Sequence, residues 1–304
     1  MKKILLPFIA SALLCASCGN KSEATGDTET DSIEASAVAD EDETFEEEEE
    51  PFSLEFKKYS KYLLYKADSK KDLYHENTIS IEWPVSGEGL DVELLQEKLR
   101  KAFGIDDKNI EKYVENWVKN TFSESSADSY SIVKERLPES NDDSEDTEEE
   151  DEDGGFPMYD TSCDLDINYL GVDKNKKTLT FCCHDVMNNG CGLGSCIYMS
   201  NNYVVYDYEK GKIVKIDDII ANRSLAAKAL KKQAIFSDQY GGLEGLANID
   251  DIPDNFYFEG DTLVSVFGKY EISYGADGSP ELGFDVRKVP NILTEYGKKL
   301  FNLK

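Results

Sequence analysis

From residue 51 onward, apolar residues alternate with polar ones over short stretches, a pattern typical of β-strands that bury one face. Two such stretches, residues 56–66 and 78–84, lie in the first half of this region, and Ile79, Ile81 and Trp83 share one face of the second. The second half contains a longer series. Its predicted strands are residues 163–170, 177–186, 197–208, 212–216, 255–258, 263–267 and 281–289.

Other segments repeat their apolar residues at the spacing of an amphipathic helix. These segments are residues 91–103, 107–121, 224–236 and 290–301. Asp91 and Ser224 are placed to cap the first and third helices, and Pro290 suits the first turn of the fourth. Residues 132–137 are expected to add a short turn. Strands and helices together predict an α+β fold, with the helices packed against a twisted antiparallel sheet.

The first residues of the chain have the composition of a bacterial export signal. Two lysines precede an apolar run over residues 4–14, and small residues lead up to Cys18. The run is too short to span a bilayer, which takes ~20 apolar residues. Because a cysteine directly after such a run resembles the bacterial lipobox, we expect residues 1–17 to be a signal peptide and Cys18 to be lipidated. An ordinary signal peptide cut nearby is the alternative.

A lipid on Cys18 would anchor the protein in the cell envelope, and several acyl chains on one cysteine hold a protein more firmly than one chain. In Gram-negative sorting, an aspartate after the lipidated cysteine favours the inner membrane, and Gly19 stands there instead. We therefore expect the outer membrane, with the periplasmic and surface faces both left open.

Acidic residues are concentrated in two segments. The formal net charge is -29, residues 22–50 hold 14 acidic and no basic side chains, and residues 139–153 hold 11 more acidic ones. Runs of like charge repel one another and stay solvated, so both segments are expected to be disordered. The expected organisation is a signal peptide (1–17), a lipid-anchored acidic linker (18–50), an N-terminal α/β region (51–137), an acidic loop (138–154) and a C-terminal domain (155–304). The rest of the chain has no basic stripe, so nucleic acid is not an expected partner.

Five cysteines lie in the C-terminal domain and are candidates for disulfides. They are Cys163, Cys182, Cys183, Cys191 and Cys196. Envelope compartments are oxidising, so disulfides are the first expectation. Cys191 and Cys196 are placed to close a Gly-rich loop, and Cys163 comes across a hairpin from residues 183–187. Free buried thiols and a zinc site with His184 are the alternatives, although the spacings differ from the paired cysteines of structural zinc sites.

Candidate catalytic residues are few. The histidines are His75 and His184, and His184 faces away from its neighbour Cys183 in a strand, so the two are not placed as base and nucleophile. Residues 190–195 lack the lysine and the following helix of a phosphate loop. Asp164 begins a calcium-loop pattern that lacks its glycine. We therefore expect no catalytic site, no cofactor and no metal.

Three stretches of the C-terminal half carry a family resemblance. The first, residues 203–220, reads Tyr-Val-Val-Tyr-Asp-Tyr-Glu-Lys-Gly-Lys-Ile-Val-Lys-Ile-Asp-Asp-Ile-Ile. The motif residues of the other two are Asn255, Phe256, Tyr257, Tyr270, Glu271, Ile272, Tyr274 and Gly278. Together the stretches resemble the RsiV-like domain, a family of largely unknown function found in an anti-sigma factor, some peptidoglycan deacetylases and many bacterial lipoproteins. Residues 56–137 are similar to the companion region of these proteins.

The resemblance implies a non-catalytic binding or sensing domain, so we expect that the chain is not an enzyme. Its ligand would be a cell-wall glycan or a cationic protein such as lysozyme, which the acidic balance would help attract. A structural or accessory subunit of a surface complex is the alternative function, and a cell-wall hydrolase is a less favoured one. The sequence leaves the ligand's identity and the oligomeric state open.

Overall fold

The computed structural model describes residues 53–67, 74–121, 130–133, 160–190, 197–233, 244–272 and 279–304. The predictions for the signal peptide, the lipidated Cys18, the acidic linker and the acidic loop concern residues outside these ranges.

The helices and strands follow one another along the chain in two groups. The first group is β1 (Ser53–Ala67), β2 (Tyr74–Glu88), α1 (Val92–Phe103), α2 (Ile110–Asn120) and β3 (Tyr130–Val133). The second group is β4 (Thr161–Asp173), β5 (Thr178–Asn188), β6 (Ile197–Asp207), β7 (Lys212–Ile213), α3 (Ile216–Ile219), α4 (Arg223–Gln233), β8 (Phe256–Glu259), β9 (Thr262–Val266), β10 (Glu281–Asp285) and α5 (Glu295–Leu300). Short 3-10 helices cover Glu244–Asn248, Val286–Lys288 and Pro290–Ile292. None of the helices in the described ranges has the length and apolar character needed to cross a membrane.

Seven strands form one sheet in the order β3-β1-β2-β4-β5-β6-β7. Neighbours are antiparallel except β2 and β4, which run parallel, with Ile79 opposite Leu165 and Ile81 opposite Ile167. Because β2 comes from the predicted N-terminal region and β4 from the C-terminal domain, these two regions share one sheet and belong to one compact unit.

One face of this sheet is apolar and is covered by α1 and α2. Leu95 and Leu99 of α1 and Val118 of α2 are fully buried against the apolar residues of the central strands. Asp91 caps α1 by accepting a hydrogen bond from the backbone N–H of Leu94 at 2.9 Å. Asn109 caps α2 in the same way, so this helix begins at Ile110 rather than at residue 107.

A second, three-stranded antiparallel sheet has the order β10-β9-β8. It forms a separate hydrophobic core with α3, α4 and α5, centred on Phe256, Leu263 and Phe284. Helix α5 lies so close to α3 that a Cβ on Gly297 would stand within 2.4 Å of the carbonyl oxygen of Ile219. Only glycine therefore permits this approach.

The structure confirms the predicted α+β class, with helices packed on a large twisted sheet. Local differences concern how elements begin, end and pair. The β2–β4 pair is parallel, and Ile132 lies in strand β3 rather than in a turn. The segment after Pro290 divides into a 3-10 turn and a separate α5 capped by Thr294. The last predicted strand ends at Asp285, whose side chain caps the following 3-10 helix.

The cap of α4 is Asn222, not Ser224. Asn222 accepts from the backbone N–H of Leu225 at 3.0 Å, whereas Ser224 lies inside the helix.

Replacing Asn222 with alanine should lower the free energy of unfolding by about 1 kcal/mol, because it leaves a helix-start amide without its acceptor. Ser224→Ala is the matched control and should change stability by less than about 0.5 kcal/mol. Urea denaturation of both variants measures the difference, and equal effects would contradict the assignment.

Candidate functional site

The face of the large sheet that points away from α1 and α2 is polar, and we call it the polar face. Its residues are Lys58 on β1, Glu76, Thr78, Ser80 and Glu82 on β2, Asp164, Asp166 and Asn168 on β4, Cys182 and His184 on β5, and Asn201 and Tyr203 on β6. The β2 and β4 members are half-buried and belong to neither hydrophobic core. Strict alternation along these strands therefore separates a helix-covered apolar face from a polar one.

Strand register places four of these side chains in a row across the sheet. Asp166 lies opposite Ser80 on one side and His184 on the other, and His184 lies opposite Asn201. Side chains directly opposite in neighbouring strands have Cβ atoms about 5 Å apart, so they interact along the row. The row thus joins an aspartate, a histidine and an amide that are far apart in sequence.

The amide of Asn201 orients the His184 ring. Its nitrogen donates to Glu281 Oε1 at 3.4 Å, so its oxygen is the atom that faces His184 Nδ1 at 2.6 Å. Because that oxygen can only accept, Nδ1 carries the hydrogen, and in the neutral ring Nε2 carries the lone pair. The chain Glu281–Asn201–His184 therefore fixes both the orientation and the tautomer of the imidazole.

Glu281 of β10 holds the second sheet against β6. Its carboxylate accepts hydrogen bonds from the hydroxyls of Tyr203 and Tyr257, each at 2.9 Å, and these two rings stack with centroids 4.4 Å apart. Asn255 adds backbone contacts, since it accepts from the N–H of Tyr203 at 2.9 Å and donates to the carbonyl of Asn201. Burial and the Glu281 carboxylate raise the pKa of both tyrosines above their ordinary value. We call this group the Glu281 clamp.

The polar face is rich in carboxylates and hydrogen-bond acceptors. Glu76, Glu82, Asp164 and Asp166 lie on it, against Lys58 of β1 opposite Glu82. Burial raises the pKa of Asp166, the charge of Asp164 acts in the same direction, and His184 and Lys58 act against them. Such a surface suits a ligand that supplies donors, such as an ammonium, a guanidinium or sugar hydroxyls.

The described cysteines are buried neutral thiols. Burial raises the pKa to about 11 for Cys163 and Cys182 and to about 12 for Cys183. A thiolate is the reactive form of cysteine, so this setting does not activate any of them as a nucleophile. Cys182 shares the polar face with His184, and its thiol is hydrogen-bonded to the side chain of Tyr203.

These three cysteines form no disulfide, contrary to the first expectation for them. Cys163 lies opposite Met187, at the far end of the predicted range, and Cys183 lies opposite Ile167. Cys182 and Cys183 point to opposite faces of β5, as neighbours in a strand must. Cys191 and Cys196 lie outside the described residues. Among the residues that the structure describes, no group of three His, Cys, Asp or Glu side chains is arranged to hold a metal ion.

The family-motif residues divide between the clamp, the core and an exposed turn. Asn255 and Tyr257 belong to the Glu281 clamp, and Phe256 and Ile272 are buried in the second core. Glu271 accepts from the backbone N–H of Gly268 at 2.8 Å. Tyr270 is 60% exposed and has a positive φ of 68°, which is unusual for an aromatic residue. Tyr274 and Gly278 lie outside the described ranges.

A shallow cleft of about 530 Å³ lies at the start of α4 and is a weaker candidate. The cleft contains the guanidinium of Arg223. This group donates hydrogen bonds to Asp251 at 2.9 Å, to Asp254 at 2.8 Å and to the carbonyl of Ile252 at 2.6 Å. Since these partners occupy the guanidinium, the cleft residues brace α4 against the segment that precedes β8.

Sequence reasoning missed most of the polar face. It interpreted Asp164 and Asp166 only as a failed calcium loop within a strand, and it did not single out Asn201 or Glu281. The alternation Asp164-Leu-Asp166-Ile-Asn168 was the available signal, because it places three polar side chains on one face. The position of Glu281 beside Asn201 depends on tertiary packing and has no local signal.

Comparisons with known proteins support the fold. No protein-family model matches the chain, and no curated protein sequence does. A crystal structure of a DUF3298 family member from Bacteroides fragilis matches with a TM-score of 0.53 and 16% identity, covering 81% of this chain and 96% of that one. A DUF3298 family protein from Pseudomonas aeruginosa has a TM-score of 0.44 and 10% identity, covering 83% and 96% of the two chains. The match to the Bacteroides fragilis structure shows that the described chain has the fold of a solved domain of unknown function.

The Glu281 clamp predicts a loss of stability in alkali. The pKa values of Tyr203 and Tyr257 are raised above the ordinary 10.0, so above that pH the folded state keeps protons that the unfolded state releases. The free energy of unfolding should therefore fall as pH rises past about 10. Tyr203→Phe with Tyr257→Phe should flatten this fall and cost about 1–3 kcal/mol at neutral pH.

Urea denaturation from neutral to alkaline pH measures both effects. Tyr270→Phe is the matched control, because the Tyr270 ring is 60% exposed and its hydroxyl is outside the clamp. An alkaline slope that is the same in the double variant and in the control would contradict the clamp.

Burial also predicts that Cys163, Cys182 and Cys183 resist alkylation in the native protein. At about pH 8 their thiols should stay unmodified by iodoacetamide, and all three should react once urea unfolds the chain. Mass spectrometry of tryptic peptides identifies which cysteines are labelled. Rapid native labelling of any of the three would contradict the placement.

Proposed function

We propose that this protein is an envelope lipoprotein, anchored through Cys18, whose RsiV-like domain binds a ligand on the polar face without catalysing a reaction. The observation that carries this proposal is the acceptor-rich, acidic sheet face, whose side chains on β2 and β4 are only half-buried. The lipid anchor, the outer-membrane location and the RsiV-like identity come from the sequence pattern. The binding face comes from the geometry.

Rigidity supports a binding role for this face. Asp164 and Asp166 lie on a central strand hydrogen-bonded on both sides, and the Glu281 clamp fixes His184 through Asn201. A preorganised surface loses little conformational entropy when a ligand binds, so more of the interaction energy appears as affinity.

Charge supports a cationic ligand more directly than a neutral one. The carboxylates on the polar face outnumber its lysines, and an ionised carboxylate can accept hydrogen bonds but cannot donate them. Complementary charge mainly raises the association rate and fixes orientation, so the effect should weaken as salt rises. A cationic protein such as lysozyme is therefore the first ligand to test, and a cell-wall glycan is the second.

The surroundings of the polar face suit binding better than covalent catalysis. His184 has an oriented ring, but the thiol on the same face, Cys182, has its pKa raised to about 11 by burial. A thiol in this setting stays protonated at neutral pH and is a weak nucleophile. We therefore assign Asp164, Asp166 and His184 to ligand recognition.

The test compares two double variants of equal charge. Asp164→Asn with Asp166→Asn should raise the Kd for lysozyme roughly tenfold at low salt, because it removes two of the recognising carboxylates. Glu93→Gln with Glu97→Gln removes two charges from the exposed side of α1, far from the polar face, and should leave the Kd nearly unchanged.

Titration calorimetry at low and at physiological salt gives the Kd of each form. Equal weakening by both double variants would mean that net charge, not the polar face, attracts the partner. Retention of the protein on insoluble peptidoglycan, without lysozyme binding, would identify the glycan as the ligand of the polar face. Absence of both would overturn it.

A further inference from the structure

A buried polar pair lies under the carboxyl end of α2, on the helix-covered face of the sheet. His75 and Asn77, both on β2, are completely buried. His75 lies opposite Tyr65 of β1 and Thr161 of β4, so the pair occupies the point where three strands meet the helix. Most buried polar side chains are satisfied by hydrogen bonds, and here those bonds lead to α2.

Hydrogen bonds from the sheet fasten the last turn of α2. The amide nitrogen of Asn77 donates to the carbonyl of Val118 at 2.9 Å and to the carbonyl of Thr121. The hydroxyl of Tyr65 donates to the same Val118 carbonyl at 2.7 Å. Carbonyls in the last turn have no partner within the helix, so these side chains supply the partners that hold its end.

The imidazole of His75 holds Asn77 in the orientation that this fastening needs. Because the Asn77 nitrogen donates to the helix, its oxygen must accept from His75 Nε2, which lies 2.8 Å away. In the neutral ring, Nδ1 then carries no hydrogen and accepts from the hydroxyl of Thr161 at 2.5 Å. Both ring nitrogens are therefore committed in the neutral form.

Burial disfavours a positive charge on His75, although neighbouring groups favour one. Burial lowers its pKa below the ordinary 6.5 and outweighs the opposing effects of Asn77, of the Thr121 carbonyl and of Asp164. Asp164, on β4, points to the polar face, away from the ring. Tyr65 on β1 is neutral, because burial raises its pKa.

Among the described residues packed against this junction, further ionisable groups lie on β4, before β4, and at the end of α2. Cys163 of β4 lies opposite Asn77 and is neutral, because burial raises its pKa to about 11. Asp160 precedes β4 and accepts from the backbone N–H of Tyr74 at 2.8 Å. Lys119 in the last turn of α2 is exposed. Of these three groups, Cys163 is neutral and the other two are exposed.

We propose that His75 is an acid-operated latch, whose protonation releases the carboxyl end of α2 from the sheet. The added proton goes to Nδ1, so the Thr161 hydroxyl has to reverse from donor to acceptor. The ring then carries a full charge in a buried site, and hydrating that charge requires water to enter. The site is joined to α2 by side-chain hydrogen bonds and not by a strand ladder, so the proposal places the entry of water at the α2 end.

The pH dependence follows from the same linkage. The closed form binds fewer protons than the open form once the pH falls below about 6.5, so acid favours opening. The latch is closed and fully stabilising above that value. The equilibrium constant for opening should rise up to tenfold for each unit by which the pH falls, through the range between the His75 pKa values of the open and the closed forms.

The chain has two histidines, so the NMR signal of each can be assigned with one variant. The full-length protein, labelled at histidine with ¹⁵N, is titrated by NMR, and amide hydrogen exchange is measured from about pH 7.5 to about pH 5 after correction for intrinsic rates. His75 should stay neutral below its ordinary pKa. Exchange at the last turn of α2 should accelerate as it protonates, while β8 and β9 stay unchanged.

The variants His75→Gln and His184→Gln assign the effect. Acid-induced exchange at α2 should vanish in the first and persist in the second, whose residue lies on the opposite face of the sheet. A His75 ring that titrates at or above its ordinary pKa would overturn the latch, and this result does not depend on whether the His75 variant folds. Acceleration that spreads equally over both sheets, or that follows His184, would overturn it as well.

Discussion

The parallel pairing of β2 with β4 is the constraint on which the rest of the structure depends. It joins the first and second halves of the chain into one sheet, although the two strands lie far apart in sequence. The pairing also generates both functional surfaces. Ile79 beside Leu165 builds the core under the helices, and Ser80 beside Asp166 builds the polar face. A shift by one residue would exchange the two faces, so the apolar packing under α1 and α2 also specifies where the carboxylates lie.

Two buried polar groups hold the layers in place on either side of this sheet. The Glu281 clamp attaches the second sheet to β6, and the His75–Asn77 pair attaches the end of α2 to β2. Each uses a side chain far away in sequence to satisfy groups that packing has removed from water. Such networks stabilise the fold when every member has a partner, and they respond to pH because their members titrate. The same physics therefore gives the molecule its rigid face and its proposed acid sensitivity.

Local sequence patterns predicted most of the elements and little of the site. Alternation located the strands, and helical spacing with Asp91 located α1, because these signals depend on neighbouring residues. The cap of α4 was assigned two residues late, since Asn222 and Ser224 are both good caps and only the path of the chain selects one. The parallel β2–β4 pair was not predictable, because antiparallel pairing was the simpler expectation for sequential strands.

The polar face shows more clearly which features sequence patterns could not predict. The sequence identified Asp164 and Asp166 as polar positions in a strand. Their place in a binding face depends on the strand register that puts His184 and Asn201 in the same row. That register is shifted by an irregularity between Tyr169 and Gly171, which no sequence rule identified. Glu281 enters the site from the second sheet, so its role follows only from how the two sheets pack.

The central claim is that the polar face is where a ligand binds. Amide hydrogen exchange of the full chain, with and without lysozyme at low salt, tests it most directly because it reports position rather than affinity. The account predicts slower exchange in β2, β4 and β5 on binding, with α1 and the second sheet unchanged. Protection confined to α1, α2 or the second sheet would contradict it.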